Sequence, residues 1–317
     1  MTFKNSLILV TGGAGNIGCN LVRRLHQEEA KIIVLDDLSS GFEDNIAGIP
    51  DVQLVKASIT NDNILVDVFN QPINYIFHLA ASFANQKSIE YPLDDLDTNI
   101  VGTLKLLQHS TKLKELQRFV HISSSCVYGH TDGVISEETP PAPDTPYAIS
   151  KLASEHYARF FHDYYKIPVV ILRYFNSYGP GEYPGKYRNV IPNFFNQAMD
   201  GLPLPITGTG EETRAFTFVS DVVDGTIKAA LEENAIGECF NISFDKETRI
   251  MDLAEKINAL TGNKAGVKFT DRRKWDLLLR RIASYDKAIK ILGYQPLVGL
   301  DEGLKLTYAW FKQRKLS

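Results

Sequence analysis

The chain has 317 residues, 44% of them apolar and 23% charged, with a formal net charge of −4. That length can bury one large or two modest cores, and the balance is that of a soluble globular protein. The mild acidity offers no basic field for nucleic acid or for an anionic membrane. Three scattered cysteines, Cys19, Cys126 and Cys239, make neither a disulfide framework nor a metal-ligand spacing, and no metal is expected. The first residues lead almost directly into a strand, without the basic-then-apolar layout of a signal peptide. No apolar run approaches the ~20 residues that span a membrane, so a cytoplasmic protein is expected.

In chain order, Leu7–Val10 predicts a strand and runs into Thr11-Gly-Gly-Ala-Gly-Asn-Ile-Gly18. Gly12, Gly15 and Gly18 stand three apart, and helical periodicity follows through Leu21, Val22 and Leu25. Such glycines let the turn be tight and let backbone N–H groups approach a pyrophosphate at the helix N-terminus. A second strand, Lys31–Asp36, ends in an acid placed for the adenosine ribose hydroxyls. No arginine follows it to welcome a 2′-phosphate, which favours NAD over NADP.

The alternation continues through strands at Val52–Val55, Tyr75–Leu79, Phe119–Ile122 and Val169–Leu172, with helices at about 61–69, 93–110 and 147–165. This pattern predicts an α/β fold, a Rossmann-type doubly wound parallel sheet with a smaller C-terminal substrate-binding domain. Ligands in such sheets bind beyond the carboxyl ends of the strands, where His78–Ala81, Ser123–Ser125 and Arg173–Asn176 fall. Tyr147 and Lys151 share one face of the helix that opens after Pro146. A close ammonium and a bound cationic nicotinamide would favour the phenolate. Bringing a phenol from about 10 to near neutrality takes roughly 3–4 kcal/mol.

From about Ser177 the composition becomes turn-rich, then a helix is expected near 190–200. We expect an NAD-binding domain over 1–176 with a return segment at about 217–243. A nucleotide-sugar-binding domain takes 177–216 and 244–317.

These ordered motifs resemble the extended short-chain dehydrogenase/reductase family, in its NAD-dependent nucleotide-sugar epimerase/dehydratase branch. They are Thr11–Gly18, Asp36, His78–Ala81, Asn99 with Gly102-Thr103, Ser123–Gly129, Tyr147–Lys151, Arg173–Pro180, Thr213-Arg214, Phe218–Asp221 and Arg272–Tyr285. The resemblance implies NAD contacts from Gly12, Gly15, Asn16, Ile17, Gly18, Asp36, Ser58, Ile59, Leu79, Ala80, Ala81, Asn99, Tyr147 and Lys151. It implies that Ser124 holds the sugar oxygen being oxidised, that Tyr147 is the base and that Lys151 binds the nicotinamide ribose. Ser125, Asn176, Arg188, Val190, Arg214, Arg273 and Arg280 would contact a nucleotide-diphosphate sugar. Arg280 would meet phosphate or solvent, with a uronate carboxylate at the sugar end as the less favoured alternative. A homodimer through paired helices is also implied.

The chain departs from the family pattern at three places. Lys56-Ala-Ser58 lacks an acid for adenine, Gly181 stands where many relatives carry arginine, and Ala215 replaces an aspartate. Relatives that dehydrate or decarboxylate the sugar carry an acid between the catalytic serine and the following valine, where this chain has Ser125 and Cys126. The resemblance therefore implies a 4-epimerase, with transient oxidation at C4 and return of hydride. The alternatives are a 3,5-epimerase using Cys126, a 4,6-dehydratase-like enzyme, or an NAD(P)-binding regulatory protein. Cys126 is either that proton carrier or an inert small thiol.

Overall fold

A computed structural model describes residues 2–131, 133–276 and 278–315, so Leu277 of the Arg272–Tyr285 stretch lies outside the described residues. Strands β1 (Leu7–Thr11), β2 (Lys31–Asp36), β3 (Val52–Lys56), β4 (Tyr75–His78), β5 (Arg118–Ser124), β6 (Val169–Tyr174) and β7 (Cys239–Ile242) form one parallel sheet. Their order is β3-β2-β1-β4-β5-β6-β7. The chain reverses its direction of winding between β1 and β4, which opens a crevice at the carboxyl ends of the strands.

Alternate residues of each strand feed two cores. Ile8, Val10, Ile32, Val34, Val120 and Leu172 pack under helices Asn16–Gln27 and Val219–Leu231. Leu9, Ile33, Ile76, Phe119 and Ile171 pack under helices Asp62–Phe69, Thr103–Ser110 and Pro146–Tyr165. Burial on both faces explains why the strands read as continuous apolar runs.

The helix expected over 93–110 is broken. Pro92–Leu96 is α-helical, Asp97–Gly102 widens into a π-turn, and Thr103–Ser110 resumes the α-helix. An added Cβ at Gly102 would lie 2.5 Å from Ile59 Cδ1, so this glycine allows the widened turn to pack closely on Ile59.

A separate core joins helices Val190–Met199, Ile250–Thr261 and Leu300–Lys315 to the paired strands Leu204–Thr207 and Val267–Thr270. A four-stranded sheet runs Glu247–Arg249, Thr213–Ala215, Arg280–Ala283, Val134–Ile135. Its last strand comes from the early part of the chain, so the two regions are stitched together beside the crevice.

Candidate active site

The crevice is a cleft of about 610 Å³. One wall is the glycine turn. Gly12 has φ +70°, and a Cβ there would meet Ala80 N at 2.7 Å, so only glycine allows β1 and the Leu79–Ala80 segment to approach this closely. A Cβ on Gly18 would collide with Gly12 O. Gly15 is the N-cap of helix Asn16–Gln27 and offers no side-chain cap, leaving the first-turn N–H groups for a ligand beside the cleft. At the end of β2, Asp36 accepts hydrogen bonds from Ala14 N (2.9 Å) and Leu38 N (2.8 Å) and still faces the cleft. Burial raises its pKa, against the pull of those two N–H groups. Ile17, Ser58, Ile59, Leu79, Ala80 and Ala81 complete this wall, with Ser58 Oγ held by Thr60 Oγ1 at 2.9 Å.

The other end carries the helix Pro146–Tyr165. Thr145 caps it, its Oγ1 accepting from Ala148 N at 3.3 Å, and Pro146 fills the first turn. Tyr147 and Lys151 are both buried and both line the cleft. Ser124 lines the cleft with them and is close enough to bear on the Tyr147 phenol, and its Oγ accepts from Cys126 N at 3.2 Å. Burial draws the Lys151 ammonium down to about 8, while the charges of Glu155 and Asp95 oppose it. Beneath it lie two neutral imidazoles. His78 is lowered to about 3 by burial and then by Lys151, and it bridges Thr11 Oγ1 and Thr103 Oγ1 at 2.8 Å each. His121 is lowered in the same way and bonds Ser154 Oγ at 3.0 Å.

The expectation of a depressed Tyr147 needs correcting for the protein alone. Burial pushes this phenol up, and the charge of Cys126 adds to the rise, opposed by the neighbouring Ser124 hydroxyl. Sharing a helix face with Lys151 does not overcome removal from water.

Three expected contacts are placed elsewhere. Arg280 forms a two-bond pair with Glu247 at 2.7 Å on the outside, because neighbouring residues of a strand face opposite ways. The next residue, Arg281, faces the cleft instead. Val190 opens a helix and packs on the core of the second region, while Asn189 before it reaches the cleft. Asn99 is buried behind the wall. Its Oδ1 accepts from Ser82 N (2.8 Å), and its Nδ2 donates to Asp95 Oδ1 (2.9 Å) and Ser150 Oγ (3.0 Å). It fastens the loop after β4 to the helix of Tyr147.

Ser125, Asn176, Arg188, Arg214 and Arg273 do line the cleft. Asn176 Nδ2 donates to Ala215 O at 2.9 Å, Arg188 reaches Ser40 O, and Arg214 lies 3.7 Å from Asp276. Arg273 sits over the Trp275 ring, 5.6 Å from its centroid. The sequence reading missed Asn85, His130 with Asp144, Glu182 and Arg281, all cleft residues, whereas Lys186, considered there as a partner for Cys126 in a loop of open placement, lines the cleft with them. His130 Nδ1 lies 2.6 Å from Asp144, and Lys186 is bound to Glu90 at 2.7 Å. Among the described residues no group of three or more His, Cys, Asp and Glu side chains could hold a metal, and no helix is long and apolar enough to cross a membrane.

The profile of the NAD dependent epimerase/dehydratase family matches residues 8–243. The chain belongs to that family. Epimerase Mth375 of Methanothermobacter thermautotrophicus is similar over 99% of this chain and 94% of its own, at 44% identity and a TM-score of 0.96. The UDP-glucose 4-epimerase of Thermotoga maritima, solved with UDP-glucose, is similar over 98% and 99% of the two chains, at 34% identity and a TM-score of 0.93. A trifunctional UDP-glucose 4,6-dehydratase, 3,5-epimerase and reductase of Arabidopsis thaliana is 31% identical over 98% of this chain, which spans about half (48%) of that relative. NAD dependent epimerases and dehydratases are enzymes, and so is this chain, with NAD as its cofactor. The uncapped helix N-terminus, the close-packed glycines and the fixed Asp36 carboxylate fit that cofactor.

Proposed function

We propose that the chain is a nucleotide-sugar 4-epimerase. The observation that carries this reading is that Ser124, buried Tyr147 and buried Lys151 line one cleft, in which positions 125 and 126 bear no carboxylate. Bound NAD supplies the hydride acceptor and donor for C4. Tyr147 takes the proton of the 4-hydroxyl as C4 is oxidised and gives it back after the 4-keto sugar has turned. Ser124 holds the same oxygen, and Lys151 orients the nicotinamide ribose. An ammonium drawn to about 8 still carries most of its proton at pH 7, so Lys151 supplies positive charge to the phenolate. Arg214, Arg273, Arg188 and Asn176 hold the diphosphate and sugar, since guanidinium groups match phosphate oxygens with paired donors.

We assign 1–176 with 217–243 to NAD binding and 177–216 with 244–317 to the nucleotide sugar. All seven strands of the central sheet fall in the first set. A homodimer pairs the helix Pro146–Tyr165 with its symmetry mate. Ile149, Phe160 and Tyr164 are 54%, 52% and 69% exposed there, an apolar face that water alone covers poorly.

A 3,5-epimerase is the second reading, favoured by one contact set. Asn85 Nδ2 and Arg281 Nη1 both lie 3.5 Å from Cys126 Sγ, so two donors hold the thiol at the wall of the cleft. Lys186, a candidate partner acid, is tied to Glu90 and Tyr187 OH. Turnover in deuterated water separates the readings. A 4-epimerase gives product without carbon-bound deuterium, and Cys126→Ser keeps substantial activity. Deuterium at C3 or C5, with a dead Cys126→Ser variant, would transfer the assignment to the second reading.

A further inference from the structure

The cations of the cleft are not alike. Lys186 is met by the Glu90 carboxylate at 2.7 Å, and Arg214 by Asp276 at 3.7 Å and by the carbonyls of Thr213 and Leu278. Arg281 has no such partner among the described residues. It is half-buried, the hydrogen bond of its Nη1 among the described residues is to Cys126 Sγ (3.5 Å), and its Nη2 makes a long one to Gly129 O (3.4 Å). Its Nε is buried with no hydrogen-bond partner among the described residues. A buried guanidinium N–H without an acceptor is costly, and five fixed donors on a cleft wall of which one is left idle are a site for a planar anion.

Its position says which anion. Arg281 adjoins Cys126, Cys126 N donates to Ser124 Oγ, and Ser124 lines the cleft with Tyr147. On the reading that Tyr147 faces C4, Arg281 therefore stands beside the reacting edge of the sugar, not at a terminus of the nucleotide. Next to C4 on a hexopyranose is C5 with its C6 substituent. A hydroxymethyl group offers Arg281 no charge, whereas a C6 carboxylate offers two coplanar oxygens to the fork. We infer that Arg281 binds a sugar carboxylate and that the preferred substrate is a nucleotide-linked hexuronate. This inference rests on the proposed C4 chemistry only for the orientation of the sugar.

Binding to the NAD-loaded protein, measured by calorimetry without turnover, tests it. The probes are matched pairs differing only at C6: UDP-glucuronate with UDP-glucose, and UDP-galacturonate with UDP-galactose. The wild type is expected to prefer the acid in at least one pair by about tenfold or more, the worth of one charge-assisted contact. Arg281→Gln should abolish that preference while changing the affinity for the neutral sugar less than about threefold, and Arg281→Lys should keep part of it. No preference in either pair, including no binding, overturns the inference for the wild type, whether or not the variants fold. Equal losses for acid and neutral sugar in Arg281→Gln overturn it as well, since a phosphate contact predicts that pattern. A retained acid preference with no epimerised product leaves the inference standing and removes the 4-epimerase reading.

Discussion

Glu182 and Asn16 join across the cleft: the Asn16 amide donates to the Glu182 carboxylate at 3.4 Å, tying the glycine turn to the loop after β6. Asn189 Nδ2 donates to the other carboxylate oxygen at 2.9 Å. The carboxylate is 3% exposed, and burial pushes it up to about 7, opposed by Arg188 and Asn189.

That rise has a consequence for stability. The folded carboxyl keeps its proton to higher pH than the unfolded one, near 4.5. Its contribution is whole below pH 4.5 and is lost as pH rises through about 7, a swing of about 3 kcal/mol. Glu182→Gln should melt several degrees above the wild type at pH 8 and within about a degree of it at pH 5. Equal shifts at both values would show that the carboxyl does not titrate in this range.

Tyr147→Phe is expected to lower kcat by orders of magnitude and to leave nucleotide-sugar affinity within a few-fold. The phenol oxygen is lost, while the cleft keeps Ser124, Lys151 and its arginines. Steady-state kinetics and calorimetry on one preparation decide it. A variant that retained most of its turnover would move the proton to another group.

Much of this site was legible because it is local. A strand, a glycine turn and a helix within Leu7–Gln27 specify the cofactor wall, and Tyr147 with Lys151 needs only a four-residue spacing. What could not be read depends on distant partners. Arg280 and Arg281 are equivalent in the sequence, and their faces are set by the pairing of Arg214 with Arg281. The role of Asn99 follows from a π-turn and from Ser82 and Ser150, which come from other elements. Glu182 looks like an ordinary loop acid until Asn16 closes over it.

Denaturing the purified protein should release NAD+ or NADH, because Asp36 stands where NADP would place its 2′-phosphate. Chromatography of the released nucleotide checks this. Mainly NADP, or consumption of one NADH per turnover, would contradict a recycled NAD.

Phe160→Asp should shift the mass seen by light scattering from two chains to one. The ring lies 5.6 Å from Tyr164 and stacks with it on the exposed face of the helix. A wild type that is already monomeric at micromolar concentration would sink the paired-helix dimer.

The position of β7 also shapes how the chain is made. Strand β6 ends at Tyr174, yet its outer neighbour β7 begins only at Cys239, after the residues of 175–238. At about 5–20 residues per second on a ribosome, the edge of β6 stands unpaired for several seconds. The side chains of Val169, Val170, Ile171 and Leu172 are apolar, and an open edge of this kind recruits foreign strands. A chain cut short before Cys239 would carry that edge permanently, and aggregation is its expected fate.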